Sequence, residues 1–214
     1  MTNQQAGIVG KIGFNSYCVG TTLNAIRAKA TDPSKLPIHI ILRLFLESIS
    51  AASAVSKLEA VGGIASCCHI LLADPEGPRS LELSPKGNVY ISPNAQGIVC
   101  HSNHFIENRY VEESTDWLKG SPIRLERIRK LTSELADGAK AVNGGVLRDR
   151  VFSDLYNAPQ AICCQEDPAR PVETRSSTLF CIVMRLVAGR TPSAEVVWGK
   201  PGSGEEGPVL KMPW

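Results

Sequence analysis

No stretch of about 18 apolar residues occurs in this chain of 214 residues, which gives no basis for a membrane-spanning helix. An excess of one charge is also missing. Lys and Arg number 23 against 21 Asp and Glu, and a net charge of +2 gives no reason to expect nucleic acid or an anionic membrane as partner. The start, Met1-Thr2-Asn3-Gln4-Gln5, has no basic stretch ahead of an apolar one, so no signal peptide is expected. The end, Lys211-Met212-Pro213-Trp214, is not a peroxisomal address of the Ser-Lys-Leu type. No internal repeat is present. Cys100, His101 and His104 lie close together, but no second Cys or His group at a ligand spacing accompanies them, and no metal site is expected.

What is present is ordinary for a soluble globular protein: 43% hydrophobic and 21% charged residues, with length enough for one full core. The seven Cys are odd in number and follow no secretory signal, which points to reduced thiols and a cytoplasmic setting. Cys67-Cys68 and Cys163-Cys164 are adjacent pairs, whose side chains point to opposite faces of a strand and make no natural chelate.

Residues 7–14 and 18–26 read as two strands around a turn at Asn15-Ser16. Pro37 to Ser48 carries apolar residues at helical spacing, with Pro in the first turn. Ser50 is placed to cap a second helix over 51–61, which Gly62-Gly63 ends. Short strands are expected near 65–73, 78–83, 87–92 and 97–103, separated by Pro- and Gly-containing turns, as an antiparallel meander. Residues 106–120 read as loop. Pro122–Ala136 reads as a basic amphipathic helix with Ile123, Leu125, Ile128, Leu131 and Leu135 as its stripe, and residues 144–156 as another helix. Residues 178–188 and 194–198 read as strands. One domain over residues 6–199 and a mobile Gly- and Pro-rich tail over 200–214 are the expected organisation. Helices segregated from antiparallel strands indicate an α+β class.

Three segments carry the chemistry: Gly10-Lys11-Ile12-Gly13-Phe14-Asn15-Ser16, Cys100-His101-Ser102-Asn103-His104-Phe105, and Arg175-Ser176-Ser177-Thr178-Leu179-Phe180. Together with the helix Pro37-Ile38-His39-Ile40-Ile41-Leu42-Arg43, they occur in an order that resembles the penicillin acyltransferase family of N-terminal-nucleophile hydrolases, which make or break amide bonds. The resemblance runs from about Ala6 to Trp198. It implies an αββα sandwich of two antiparallel sheets. It implies that Asn103 donates its side-chain amide to the oxyanion, and that Arg175 braces the nucleophile and the substrate carboxylate. Asn15, Asn24 and His104 are weaker candidates for substrate binding; Thr22 competes with Asn24 for its position. Bare of the resemblance, Asn103 reads as a strand-end residue, and His39 with Arg43, four apart on one helix face, as a local pair.

The departures from the family pattern are equally definite. The family nucleophile is a Cys freed by self-cleavage at a Gly-Cys bond, and this sequence contains no Gly-Cys dipeptide. Only five or six residues precede the front strand, none of them Cys, so the fold is expected to be incomplete at its N-terminus. Two readings follow. One is an acyltransferase or amidohydrolase acting on an N-acyl or peptidic small molecule, in a fungal-type secondary-metabolite pathway, with acyl-coenzyme A as a candidate co-substrate and no cofactor. The other is a non-catalytic relative that binds a small acyl or amino compound. An unpaired sheet edge invites a homodimer or a partner chain.

Overall fold

The computed structural model describes residues 9–114, 118–138 and 141–213; Gly7 and Ile8 of the front segment and Trp214 of the tail lie outside them. Two compact units result, residues 1–117 with 186–192, and residues 118–185 with 193–214, where one domain over 6–199 is the sequence expectation.

In the first unit the described strands form one antiparallel sheet in chain order: β1 (Gly13–Phe14), β2 (Gly20–Ala25), β3 (Cys68–Asp74), β4 (Gly77–Leu83) and β5 (Val89–Ile91). Two helices, α1 (Ile38–Leu46) and α2 (Ala51–Ala60), connect β2 to β3. The apolar periodicity of α1 buries Ile41, Leu42 and Phe45 completely. They pack with Leu58 of α2 on Val19, Cys68, Ile70, Leu72, Leu81 and Leu83. Each such large side chain contributes about 2 kcal/mol by leaving water. Ser50 caps α2 as the sequence indicates, accepting from the Ser53 N–H at 3.1 Å. Gly62 and Gly63 end it with positive φ values of 80° and 89°, donating to Glu59 and Leu58 carbonyls in a Schellman arrangement.

The front segment is structural at two points. Gly10 lies against α1 so closely that an added Cβ would overlap the His39 carbonyl oxygen and stand 2.5 Å from the Arg43 nitrogen. Its own carbonyl meets His39 Nδ1 at 2.8 Å. Arg43 pairs with Glu47 along the helix at 2.6 Å, a local pair, whereas His39 reaches back to the front segment, so His39 and Arg43 do not pair with each other. Asn15 opens a three-residue turn closed by Cys18 in the left-handed region, φ 62°.

The strand expected at 97–103 is not one. Asn94 Oδ1 accepts from the Gln96 and Ile98 N–H groups, at 3.0 and 2.9 Å, and His101 turns its ring inward, so local side-chain bonds replace a ladder.

In the second unit, β6 (Phe180–Arg185), β7 (Ser193–Trp198) and β8 (Val209–Met212) form an antiparallel sheet. Part of the expected mobile tail is therefore a strand: Ala194 to Val197 pair with Met212 to Val209. Helix α3 (Ser121–Asp137) buries Leu125 alone of its expected stripe. The helix expected over 144–156 is shorter. It comprises α4 (Gly144–Leu147), capped by Asn143, and a π-helical turn over Arg148–Phe152. It stops because Asp154 Oδ1 accepts from the Tyr156 N–H at 3.0 Å, an Asx turn that competes with helix. Two antiparallel sheets and four α-helices among the described residues give the α+β class, consistent with the expected sandwich type.

Candidate functional site

Residues directly opposite each other in an antiparallel sheet share a face. Ala25, Cys68 and Leu83 align, and so do Asn24, His69 and Glu82 one step along. One face of the first sheet therefore carries the apolar core beneath α1 and α2. The other carries a polar row, Asn24–His69–Glu82, across three adjacent strands. This second face is also dry: His69 is 1% exposed and Glu82 0%.

A buried polar row must satisfy itself. His69 Nδ1 meets Asn24 Oδ1 at 2.9 Å, and its Nε2 meets Ser80 Oγ at 2.9 Å. The amide oxygen only accepts, so the proton is on Nδ1, and the Ser80 hydroxyl donates to Nε2. Burial, with the neighbouring His101, holds the His69 pKa well below its ordinary value, so this ring is neutral.

His101 stacks on His69, ring centres 3.5 Å apart and planes 5° from parallel. Its Nε2 donates to Glu82 Oε1 at 2.8 Å, and its Nδ1 to the Ser102 carbonyl at 2.8 Å. Both of these neighbours are acceptors. Burial opposes the charged form of Glu82. The His101 bond and those from the Ile106, Glu107 and Asn108 N–H groups outweigh it and hold the carboxyl below its usual value. The Glu107 and Asn108 bonds to Oε2 are 3.0 and 2.7 Å. Glu113 takes the Phe105 N–H at 2.8 Å, and burial raises its carboxyl pKa.

Over this row runs the segment 101–108. Asn103, at its middle, donates its amide to the Ala25 carbonyl at 3.1 Å, at the end of β2. His104 follows in the same segment, half-buried. The structure thus brings Asn24, Asn103 and His104 to one end of the first sheet. Asn15 lies in the turn beyond the other end of β2, a strand whose five residue steps from Gly20 to Ala25 span about 17 Å at 3.3 Å per residue. Asn15 and Asn103 are therefore at opposite ends of β2. Asn15 uses all four of its amide bonds internally: Nδ2 donates to the Leu46 and Ser48 carbonyls, at 3.0 and 2.7 Å, and Oδ1 accepts from Tyr17 and Val19. It braces the hairpin on the end of α1.

Arg175 lies in the second unit. Its Nε donates to the Arg170 carbonyl at 2.9 Å and Nη2 to the Pro168 carbonyl at 3.0 Å, closing the loop ahead of β6. Two of its five N–H groups are so engaged.

None of the seven cysteines is in a disulfide. Burial pushes the Cys67 thiol up to about 11, and that of Cys68 further in the same direction. Cys18 is 6% exposed, with Sγ 3.5 Å from the Arg190 carbonyl oxygen. A thiolate attacks and a thiol does not, so the Cys67 and Cys68 thiols are poor nucleophiles. An oriented amide donor on a rigid, charge-organised support suits polarising a carbonyl.

His69 and Glu82 escape a reading of the sequence. Ser80-Leu81-Glu82-Leu83-Ser84 alternates like a strand with one wet face. The signal that Glu82 is inside is its alignment with Asn24 and His69, visible only once the register is known.

A family model described as acyl-coenzyme A:6-aminopenicillanic acid acyl-transferase matches residues 1–202. The chain is also similar to the acyl-coenzyme A:6-aminopenicillanic-acid-acyltransferase 40 kDa form of Emericella nidulans, 32% identical over 203 residues, or 94% of this chain and 54% of the relative. The chain spans about half the length of that curated relative.

Proposed function

From the premise that this chain belongs to the acyl-coenzyme A:6-aminopenicillanic acid acyl-transferase family, we propose that it carries the carbonyl-polarising part of an acyl-transfer site for an N-acyl or peptidic small molecule. Asn103 is the oxyanion donor. The observation that carries this reading is the Asn103 amide, fixed on the Ala25 carbonyl at 3.1 Å. That bond fixes the position and plane of the amide at the end of the sheet, where a carbonyl group would approach it. As a nucleophile adds to that carbonyl, its π electrons move to oxygen, and a preorganised N–H stabilises the charge that develops. Arg175 offers a planar donor fork suited to a substrate carboxylate. Acyl-coenzyme A is the candidate acyl donor, and a secondary-metabolite pathway the setting. The pairing partner of the sheet edge is a second copy or another chain.

The nucleophile is the open half. The family resemblance implies a Cys led by a free amine, and this sequence has no Gly-Cys dipeptide. The low reactivity of buried Cys67 and Cys68 favours keeping a second reading in view, a relative that binds without turnover.

Titration calorimetry with N-acyl amino compounds, as free acids and methyl esters, tests the assignment. Asn103→Ala should weaken both forms by about five- to tenfold, the worth of one buried hydrogen bond. Arg175→Ala should weaken the acids more than the esters. Binding unchanged in Asn103→Ala, or equal losses for acid and ester in Arg175→Ala, would remove the corresponding role. Binding that persists without turnover once a Cys-led segment is supplied would favour the non-catalytic reading.

A further inference from the structure

We infer that Glu82 is a positioning residue for Asn103, acting through His101 and the backbone of residues 106–108. The catalytic meaning of this rests on the donor role proposed for Asn103; the mechanical claim does not.

Glu82 itself has no route to a substrate. It is 0% exposed, and both carboxylate oxygens are taken. Oε1 accepts from His101 Nε2 and the Ile106 N–H, and Oε2 from the Glu107 and Asn108 N–H groups. These partners flank Asn103 in sequence, His101 two residues before it and Ile106 to Asn108 three to five after. One buried carboxylate therefore ties down both ends of the segment whose middle presents the amide. The Asn108 side chain adds a return bond, donating to the Glu82 carbonyl at 3.2 Å and to that of Gly87 at 3.0 Å. A third foot comes from β3, where His69 stacks under His101. The support thus spans β2, β3 and β4 and leaves the segment little freedom to carry Asn103 away from Ala25.

Charge is what makes the arrangement hold. Four donors converge on Glu82, and only a carboxylate offers acceptors alone on both of its oxygens. A Gln at this position keeps the shape and turns an NH2 toward N–H donors. Its effect should therefore reach Asn103 rather than stop at the sheet.

The experiment uses the full chain labelled with 15N. The order of the side-chain NH2 groups of Asn103 and Asn15 is measured by relaxation in the wild type and in Glu82→Gln. Asn15, braced at the far end of β2, is the internal control. The expected result is a clear loss of order at Asn103 with Asn15 unmoved, and a loss of affinity for N-acyl ligands equal to that of Asn103→Ala. The double variant should be no weaker than either single one, because both remove the same interaction. An Asn103 amide as ordered in Glu82→Gln as in the wild type would overturn the inference, as would additive losses. If Glu82→Gln does not fold, the wild type still decides. The backbone N–H groups of residues 106–108 should exchange with solvent as slowly as those of β3. Rapid exchange at 106–108 would overturn the inference. Failure of the donor reading looks different: Asn103→Ala then binds N-acyl ligands as the wild type does, whatever the amide order shows.

Discussion

Lowering the pH from 6.5 to 5.5 should weaken this fold through His69 in particular. The ring is 1% exposed, donates to Asn24, accepts from Ser80 and stacks on the ring of His101. Burial and that neighbour depress its folded pKa well below the ordinary value. The sign follows. In the unfolded chain a His takes up its proton near pH 6.5, while the folded ring refuses it, so stability is full above that pH and falls as pH falls. One proton bound only by the unfolded state costs about 1.4 kcal/mol per pH unit. Glu82, whose carboxyl is also depressed, adds its own loss only in the carboxylate range below. Glu113, whose carboxyl is raised by burial, opposes it there. The difference in slope between the wild type and a variant without His69 therefore isolates this ring between pH 6.5 and 5.5. Urea unfolding at pH 6.5, 6.0 and 5.5 reads the slope in the wild type and in His69→Gln. The variant starts less stable, having lost a ring contact, so the slopes are compared and not the absolute values. A wild-type slope steeper by about three-quarters of a proton, the mean uptake of an unfolded His of pKa about 6.5 over this pH unit, supports the neutral, buried assignment. Equal slopes would show that His69 takes up its proton in the folded state as in the unfolded chain, open to water, and would refute the account of the polar row.

Asn15→Ala should lower stability by about 2–4 kcal/mol, four bonds at about 0.5–1 kcal/mol each, with no selective effect on ligand affinity; thermal unfolding with calorimetric binding separates the two. Gly10→Ala should destabilise by about 1–3 kcal/mol, because its new methyl meets α1 backbone that cannot move alone; denaturant unfolding measures it, and a neutral effect would mean that the Gly10 contact is not formed. Cys67, with a thiol pushed up to about 11, should be alkylated far more slowly than the same thiol in the unfolded chain, since only about one part in a thousand is thiolate at pH 8. Mass spectrometry of native and urea-treated protein checks this, and equal labelling rates would contradict the burial of Cys67.

Local rules made much of this fold readable. The cap at Ser50, the double glycine at its far end and the apolar stripe of α1 each rest on contacts within a few residues, and each formed as the pattern indicates. The α+β class followed from the order of such segments. What stayed hidden depends on register. Glu82 looks like a solvent-facing strand residue until Asn24 and His69 are seen beside it. His101 and Asn103 looked like the end of a strand because the run is apolar, whereas the ring is drawn inward by a carboxylate nineteen positions earlier. Asn15 was legible as a turn residue, but its bonds to Leu46 and Ser48 are tertiary and carry its role away from the ligand. Val209–Met212 lies between glycines and prolines and pairs only because β7 presents a free edge.

Acyl transfer itself is the most direct measurement. Purified chain is offered activated thioesters and N-acyl amines, alone and with a Cys-led N-terminal segment supplied by fusion or in trans. The chain of these 214 residues, which lacks a Gly-Cys dipeptide, should neither self-cleave nor turn over beyond a trace. With the Cys-led segment, turnover should appear, and Asn103→Ala should lower it by about a hundredfold or more, as expected for an oxyanion donor. Robust turnover by the chain alone that Cys18→Ala abolishes, or turnover indifferent to Asn103→Ala, would contradict the account.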